Sequence, residues 1–317
     1  MMKHIKNSIG FDIGTTTLRL YKDGKQVVET PTELQDNAKT IRNLLVKGKI
    51  ARLSETEEML KKESNKIRKS FLGLWNPPMY ALVSIPSDLN EVTLRAYRDT
   101  LEQAGAKICY MITDSLVAAT GLGLDMSNST STIVDFGAGK TSITTLRGLE
   151  IIKNDFLELA GNTFDEDIQL YLSSHYDLKI DLKTAEALKI EYADLRKADS
   201  AISKTIGIKG KDKRTNSPKE IALQSEEITD CIRLDVDLIT EKIVRHVENL
   251  ENADLDKVKS NGIYLVGKSI RLRGLTDIMS ERIKIANKSY ALTTDYMKIG
   301  FEKIQTDPGQ VYLHLIV

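Results

Sequence analysis

The sequence predicts an α/β protein built twice over, and three observations carry the prediction. An acidic turn occurs in two copies, GFDIGTTTLRLYKDGKQVV at residues 10–28 and IVDFGAGKTSITTLRGLEII at residues 133–152, and self-similarity of this kind is read before any single motif. Between the copies, ALVSIP (81–86) and KICYMI (107–112) are strand-like runs flanking a helical pattern, the arrangement of a parallel sheet covered by helices. After the second copy the architecture repeats with longer helical stripes.

In each copy an apolar run ends in Asp-x-Gly (Asp12 and Gly14; Asp135 and Gly137), small or hydroxyl residues follow, and a second Gly turn (Gly24, Gly148) leads to another strand. Each reads as a β-hairpin with a phosphate-sized turn at its tip. Glycines let backbone amides approach an anion, and a concave run of N–H groups favours negative charge. An Asp that close to phosphate needs a counterion, so Asp12 and Asp135 are candidate Mg²⁺ carboxylates, acting directly or through water. The competing reading is two tight turns whose Asp side chains bond their own backbone. The stretch GAGKTS (137–142) is not a P-loop, because the required earlier Gly is Val134 and SITTLRG continues as a strand rather than opening a helix. Lys140 therefore belongs to a hairpin tip.

Residues 30–78 carry few strand signals and read as an inserted subdomain. Ser54 with Glu57 forms a capping-box pattern, and Met59, Leu60, Ile67 and Phe71 share a helical face before Asn76-Pro77-Pro78. Leu89, Val92, Ala96, Leu101 and Ala104 predict a helix ending at Gly105, and SLVAATGLGL a helix broken by glycines. Asp114 stands just after the KICYMI strand, where ligand crevices form in such sheets, although an isolated Asp there is also an ordinary N-cap. In the second half, Phe164, Ile168 and Leu172, then Ala187, Leu188, Glu191 and Leu195, then Ile228, Ile232, Ile239, Ile243 and Leu250 mark three helices. Between the last two, KTIGIKGKDKRTNSPKEIAL reads as two strands joined by a basic tip with Lys209, Lys211, Lys213 and Arg214. NGIYLVGKSIRLRGL (261–275) reads as a strand, a Gly turn and a helix start.

With 317 residues, 41% of them hydrophobic, the chain buries a substantial core and divides into two domains. Lys plus Arg and Asp plus Glu both number 45, so no general attraction to nucleic acid or acidic membrane exists. Cys109 and Cys231 lack metal spacing and fit small core residues in a reducing compartment. No apolar leader, amphipathic N-terminus or run of about 18 apolar residues is present, so the expectation is a cytoplasmic protein without direct membrane insertion.

Taken in order, GFDIGTTT, ITDSLVAATGLGL, IVDFGAGKTS, ELAGNTFDEDI, TAEALKIE and LVGKSIRLRGL resemble the bacterial actin-like proteins of the MreB and MamK group over nearly the whole chain. The resemblance implies the actin-like fold, two related domains, each with a subdomain insertion, around a cleft for ATP or ADP. The expected boundaries are 1–128 with an insertion at about 30–78, 129–287 with a smaller subdomain at about 180–225, and 288–317 returning to the first domain. It implies that Asp12, Gly14, Thr15 and Thr16 form the first phosphate loop and Asp135, Gly137 and Gly139 the second, with Lys140 replacing a small hydroxyl residue. Asp114 falls where the family has a glutamate that positions the attacking water. Gly161 and Asn162 match a turn near the ribose, Lys189 and Glu191 a helix edging the nucleoside, and Gly267, Lys268 and Ser269 the turn under the adenine, where the family has further glycines. GAG in the second loop, AGN at 160–162 and the short tip after Thr145 tilt the match toward the MamK branch, whose members form magnetosome filaments.

The expected function is a homopolymer filament gated by ATP·Mg²⁺, with slow hydrolysis at Asp114 timing disassembly, positioning an intracellular structure such as a magnetosome chain through a cargo adaptor. The rivals are an MreB-like cell-shape filament, a small-molecule kinase of the same superfamily, for which no sugar-binding residue set is evident, and a degenerate nucleotide-binding adaptor.

Overall fold

Alternation of apolar and polar residues in FDIGTTTLRLYKDG forces β-structure, and Asp-Gly punctuates it. The structure, a computed structural model, describes residues 2–36, 39–68, 78–127, 129–196, 203–289, 295–309 and 311. A short helix α1 (Met2–Lys6) precedes β1 (Ile9–Ile13), β2 (Thr17–Lys22) and β3 (Lys25–Pro31). Two small hairpins follow, β4 (Leu34–Asp36) with β5 (Lys39–Ile41) and β6 (Leu45–Val46) with β7 (Lys49–Ile50). Then come α2 (Leu53–Ile67), β8 (Met79–Ile85), α3 (Glu91–Gln103), β9 (Ala106–Thr113) and α4 (Asp114–Leu122). The second half runs β10 (Thr130–Phe136), β11 (Thr141–Arg147), β12 (Glu150–Leu157), α5 (Gly161–His175), β13 (Leu178–Lys179), α6 (Leu182–Tyr192), β14 (Thr205–Asp212), β15 (Pro218–Gln224), α7 (Ser225–Glu248) and α8 (Asn252–Asn261). It closes with β16 (Ile263–Val266), a 3₁₀ turn (Lys268–Arg271), α9 (Leu275–Ile283), β17 (Asn287–Ser289) and α10 (Tyr296–Thr306).

The internal repeat becomes a repeat of topology. One five-stranded sheet has the order β3-β2-β1-β8-β9 and the other β12-β11-β10-β16-β17, so in both a three-strand meander adds two later strands beside its first. In the first sheet β1 pairs antiparallel with β2 and parallel with β8, and β8 pairs parallel with β9. The chain forms two compact units, one from the described residues within 1–133, 144–154 and 293–317, the other from those within 134–143 and 155–292. One core gathers Phe11, Leu18, Leu20, Val83, Tyr97 and Leu101 with Leu44 just before β6, Leu45 of β6 and Leu60 of α2. The other gathers Phe164, Ile168 and Leu172 of α5 with Ile228, Ile232, Ile239 and Ile243 of α7. The apolar stripes on α5 and α7 are thus core, as their spacing predicted. Cys109 is buried and Cys231 half-buried, and burial pushes both thiols up to about 12, which leaves them unreactive.

Several local expectations are corrected. α2 starts at Leu53 with Arg52 at the cap, so Ser54 lies inside the first turn and caps nothing; Thr56 Oγ1 instead donates to the Arg52 carbonyl at 2.6 Å. Phe71 and Asn76-Pro77 lie outside the described residues. Val92 is 78% exposed, and Tyr97, Thr100 and Leu101 form the buried face of α3. On α6 the buried residues are Ala185 and Leu188, which share a face at i, i+3; Ala187, about 100° round from Leu188 and about 200° from Ala185, faces solvent. Leu195 and Leu250 pack on the core from beyond their helix ends. Lys209 and Lys211 sit in β14, so the tip of that hairpin is shorter than expected, and Asp212 ties it by accepting from the amides of Arg214 and Thr215, each at 2.9 Å. Helix α4 runs unbroken through Gly121 and stops at Gly123, which takes the left-handed φ of +70° that ends helices.

Candidate functional site

Both acidic turns close in the same way. Gly14 N donates to Thr17 O at 3.0 Å, and Gly137 N donates to Lys140 O at 3.2 Å. A Cβ on Gly14 would lie 2.9 Å from that Thr17 oxygen, and one on Gly137 2.7 Å from the Lys140 oxygen, so glycine is what allows each turn to shut. Lys140 closes a hairpin rather than opening a helix, as expected, and its Nζ lies 5.6 Å over the Phe156 ring.

In the first unit, three predicted or neighbouring polar groups stand at the carboxyl ends of the parallel strands: Asp12 on β1, Ser87 just after β8 and Asp114 directly after β9. Asp114 is the first residue of α4, with Thr113 at the cap. Its Oδ1 accepts from the Ser115 amide at 2.7 Å and from Ser87 Oγ at 3.0 Å, and Ser87 Oγ lies 3.1 Å from Ser115 Oγ. The carboxylate is thereby held in one rotamer. The Thr15 hydroxyl accepts from Gly48 N at 3.2 Å, Thr16 O accepts from Thr32 N at 3.0 Å, and Thr32 Oγ1 donates to Gly14 O at 2.7 Å. Tyr97 Oη donates to Gly48 O at 2.8 Å. Burial, with Asp114 and Asp12 near it, holds the Tyr97 phenol well above its usual range, so it remains a donor. Asp12 itself pairs with Arg19, Nη1 to Oδ2 at 2.9 Å.

In the second unit, the turns assigned to phosphate, ribose and adenine meet at one backbone atom. The Gly137 carbonyl accepts from Gly161 N at 3.3 Å and from Ser269 Oγ at 3.0 Å, while Asn162 N donates to Ala138 O at 2.8 Å. Gly267, at φ +93°, packs so closely that a Cβ there would lie 2.4 Å from Asp135 Oδ1 and 2.4 Å from Phe136 O. Ser269, expected against the base, thus directs its hydroxyl at the second turn. Lys189 Nζ donates to Gly161 O at 2.7 Å and pairs with Asp165 Oδ1 at 2.7 Å, bracing the start of α5. Lys268 is exposed, and Glu191 is exposed with its carbonyl accepting from Arg273 and its carboxylate bonded to Tyr192. Among the predicted residues, Asp135, Gly137, Gly161, Asn162, Lys189, Gly267 and Ser269 converge, whereas Glu191 bonds Arg273 and Tyr192.

Arg19, Ser87, Gly48 and Asp165 were missed. Arg19 alone had a readable signal, since a four-residue tip between Ile13 and Leu18 places it opposite Asp12. The others are joined to their partners only by the tertiary fold.

Burial pushes the Asp165 carboxyl up to about 6, with Lys189 pulling the other way. The folded value lies above the unfolded one, so this group contributes stability that is full below about pH 4 and lost as the pH climbs through about 6. The stability of the wild type relative to Asp165→Asn should therefore fall between pH 4 and pH 7 in urea titrations. A pH-independent difference would count against this ionisation.

Among the described residues no three His, Cys, Asp or Glu side chains gather as a protein-built metal cage would. The separate carboxylates fit Mg²⁺ that arrives on phosphates and keeps most of its waters, a common way proteins take this ion. The converging glycine turns, which a Cβ would fill, fit a nucleotide.

The fold and these turns have relatives. The family described as MreB/Mbl protein matches residues 32–308. The chain belongs to this family. Among MreB/Mbl proteins, the cell shape-determining protein Mbl of Bacillus subtilis (strain 168) is 27% identical over 301 residues, covering 87% of this chain and 89% of Mbl. MreB of Escherichia coli (strain K12) is 26% identical over 239 residues, 75% of this chain and 68% of MreB. The crystal structure of MreB5 of Spiroplasma citri bound to ADP superposes with a TM-score of 0.84 at 22% identity, covering 97% of this chain and 99% of that one. A MamK double helical filament superposes at 0.76 and 16% identity, covering 94% and 98%. The fold of this MreB/Mbl-family chain is the actin-like one, and the chain is an actin-like cytoskeletal protein.

Proposed function

We propose that this MreB/Mbl-family chain binds ATP and ADP and polymerises into filaments when ATP is bound, with slow hydrolysis loosening the polymer. The observation that carries this is the duplicated Asp-bearing turn, shut by glycine in the same way at Gly14 and Gly137. Asp12, Thr15 and Thr16 of the first turn and Asp135, Gly139 and Lys140 of the second are the phosphate-binding groups, each within its own unit; Gly161, Asn162, Lys189, Gly267, Lys268 and Ser269 would serve the nucleoside. Mg²⁺, when bound, supplies positive charge at the phosphates. Asp114, held by Ser87 and the Ser115 amide, orients a water and takes its proton. Its carboxylate is one methylene shorter than glutamate, and a displacement of about 1 Å costs on the order of 10²-fold in rate. Hence hydrolysis is slow. No helix among the described residues is long and apolar enough to cross a membrane.

The crystal structures of MreB5 bound to ADP and to AMPPNP support nucleotide binding by analogy of fold. The match to Mbl and MreB favours a role in cell shape. Positioning of an internal structure such as a magnetosome chain, through an adaptor, is the second reading and rests on the GAG and AGN turns (137–139, 160–162).

Sedimentation of purified protein with ATP·Mg²⁺, ADP·Mg²⁺ or no nucleotide tests the proposal. Pelleting with ATP is expected for the wild type and for Asp114→Ala, with slower disassembly in the latter, and not for Asp12→Ala. Protein that stays in the supernatant at high concentration under every condition overturns it.

A further inference from the structure

The first acidic turn differs from the second in one respect that the duplication makes visible. Seven residues after Asp12 the chain has Arg19; seven after Asp135 it has Ser142. Arg19 on β2 is the direct cross-strand partner of Asp12 on β1, and Glu29 on β3 is the direct partner of Arg19. The three side chains form one minus-plus-minus row across three strands. Arg19 Nη1 lies 2.9 Å from Asp12 Oδ2, and Arg19 Nε lies 3.4 Å from Glu29 Oε1. The inner pair is shielded, with Arg19 20% and Asp12 18% exposed, whereas Glu29 is 44% exposed.

A carboxylate withdrawn this far from water at a phosphate turn is a repulsive charge toward a polyphosphate unless a cation covers it. A divalent ion carried by the nucleotide is one such cation, but it is present only when the ligand brings it. Arginine is always charged and is weakly hydrated, so it covers a half-buried carboxylate permanently. From this row, and resting on the nucleotide reading above, we propose that Arg19 is a positioning residue that neutralises Asp12 and so relieves the first phosphate turn of a strict need for Mg²⁺. The nucleoside diphosphate then binds with or without the divalent ion. Arg19 acts through Asp12 and not by touching phosphate itself.

The experiment is a titration of the full chain with ADP, once with excess Mg²⁺ and once with EDTA, for the wild type, Arg19→Met, Asp12→Asn and the double variant. Loss of a charged hydrogen-bond partner predicts that Arg19→Met weakens Mg²⁺-free ADP binding about 10- to 100-fold. With Mg²⁺ present the ion covers Asp12 and the loss is no more than about fivefold, the scale of a partly exposed pair. The ratio of the two dissociation constants therefore rises in Arg19→Met. In the double variant the carboxylate charge is gone, so Mg²⁺-free affinity returns toward the wild-type value.

Three results overturn the proposal. Equal losses with and without Mg²⁺ make Arg19 merely structural, and thermal melts of each variant identify a folding defect directly. A double variant as weak as Arg19→Met without Mg²⁺ means that Arg19 contacts phosphate itself. A wild type that binds no ADP under either condition removes the nucleotide reading, and this inference with it; binding that is intact with an unchanged ratio removes only the inference.

Discussion

Gly121→Ala is expected to destabilise the first unit by about 2–4 kcal/mol, the scale of overpacking at a backbone-to-backbone contact. Helices α4 and α10 cross through glycine. A Cβ on Gly121 would lie 1.8 Å from Tyr296 O, and one on Gly300 would lie 2.2 Å from Val117 O. No rotamer relieves a Cβ, so α10 must move as a body. That helix seals the first sheet: Phe301 is fully buried and its ring stacks on Tyr21 at 5.0 Å, and Gln305 Nε2 donates to Ser8 O at 2.8 Å. Phe301 also fills the space over Gly10, where a Cβ would approach it to 2.8 Å. Gly123→Ala is the control, two residues away at the helix end. Its Cβ would meet nothing nearer than Lys303 Nζ at 3.8 Å, and its φ of +70° limits the cost to about 1–2 kcal/mol. Urea unfolding of both variants decides the matter, and equal losses would show that the crossing is not what glycine secures.

Gly267→Ala is expected to have the largest effect on the candidate site. Its φ of +93° strains any L residue, and the added Cβ would press to 2.4 Å on both Asp135 Oδ1 and Phe136 O. Backbone strain and the clash each cost about 1–3 kcal/mol, so a loss of about 2–6 kcal/mol is expected by urea denaturation. The clash falls on the residue proposed to face the metal-bearing phosphate. Nucleotide affinity should therefore fall more than tenfold even where the variant is still folded, as on the order of 1.4 kcal/mol of displacement already does. ADP binding within about threefold of wild type, measured well below the melting temperature, would mean that the turn and Asp135 are not coupled.

Much of this was legible because it is local. The two hairpins were readable since Asp-x-Gly, the alternating strands and the second Gly turns lie within about twenty residues of chain, and the strand period is 2. The apolar spacing of Phe164, Ile168 and Leu172 and of the isoleucines on α7 was readable for the same reason, and all of these residues are core. Helix phase was less secure. Ala185 rather than Ala187 is buried on α6, because neighbouring small apolar residues leave the direction of the buried stripe open until packing chooses it, and Ser54 lies within α2, because helix ends read from sequence shift by one or two residues.

By itself the sequence determined the α/β class, the duplicated acidic turns and, through motifs held in order, membership of an actin-like family. Those properties depend on residue type and short spacing. Only the tertiary structure decided that Ser87 holds Asp114 across 27 positions, that Ser269 bonds the Gly137 carbonyl across 132, and that Gly121 and Gly300 are where two helices touch. A hydroxyl, or a glycine in a helix, has the same local preferences whatever it will meet. Its role is set by the partner that packing brings to it, and that partner is distant in the chain.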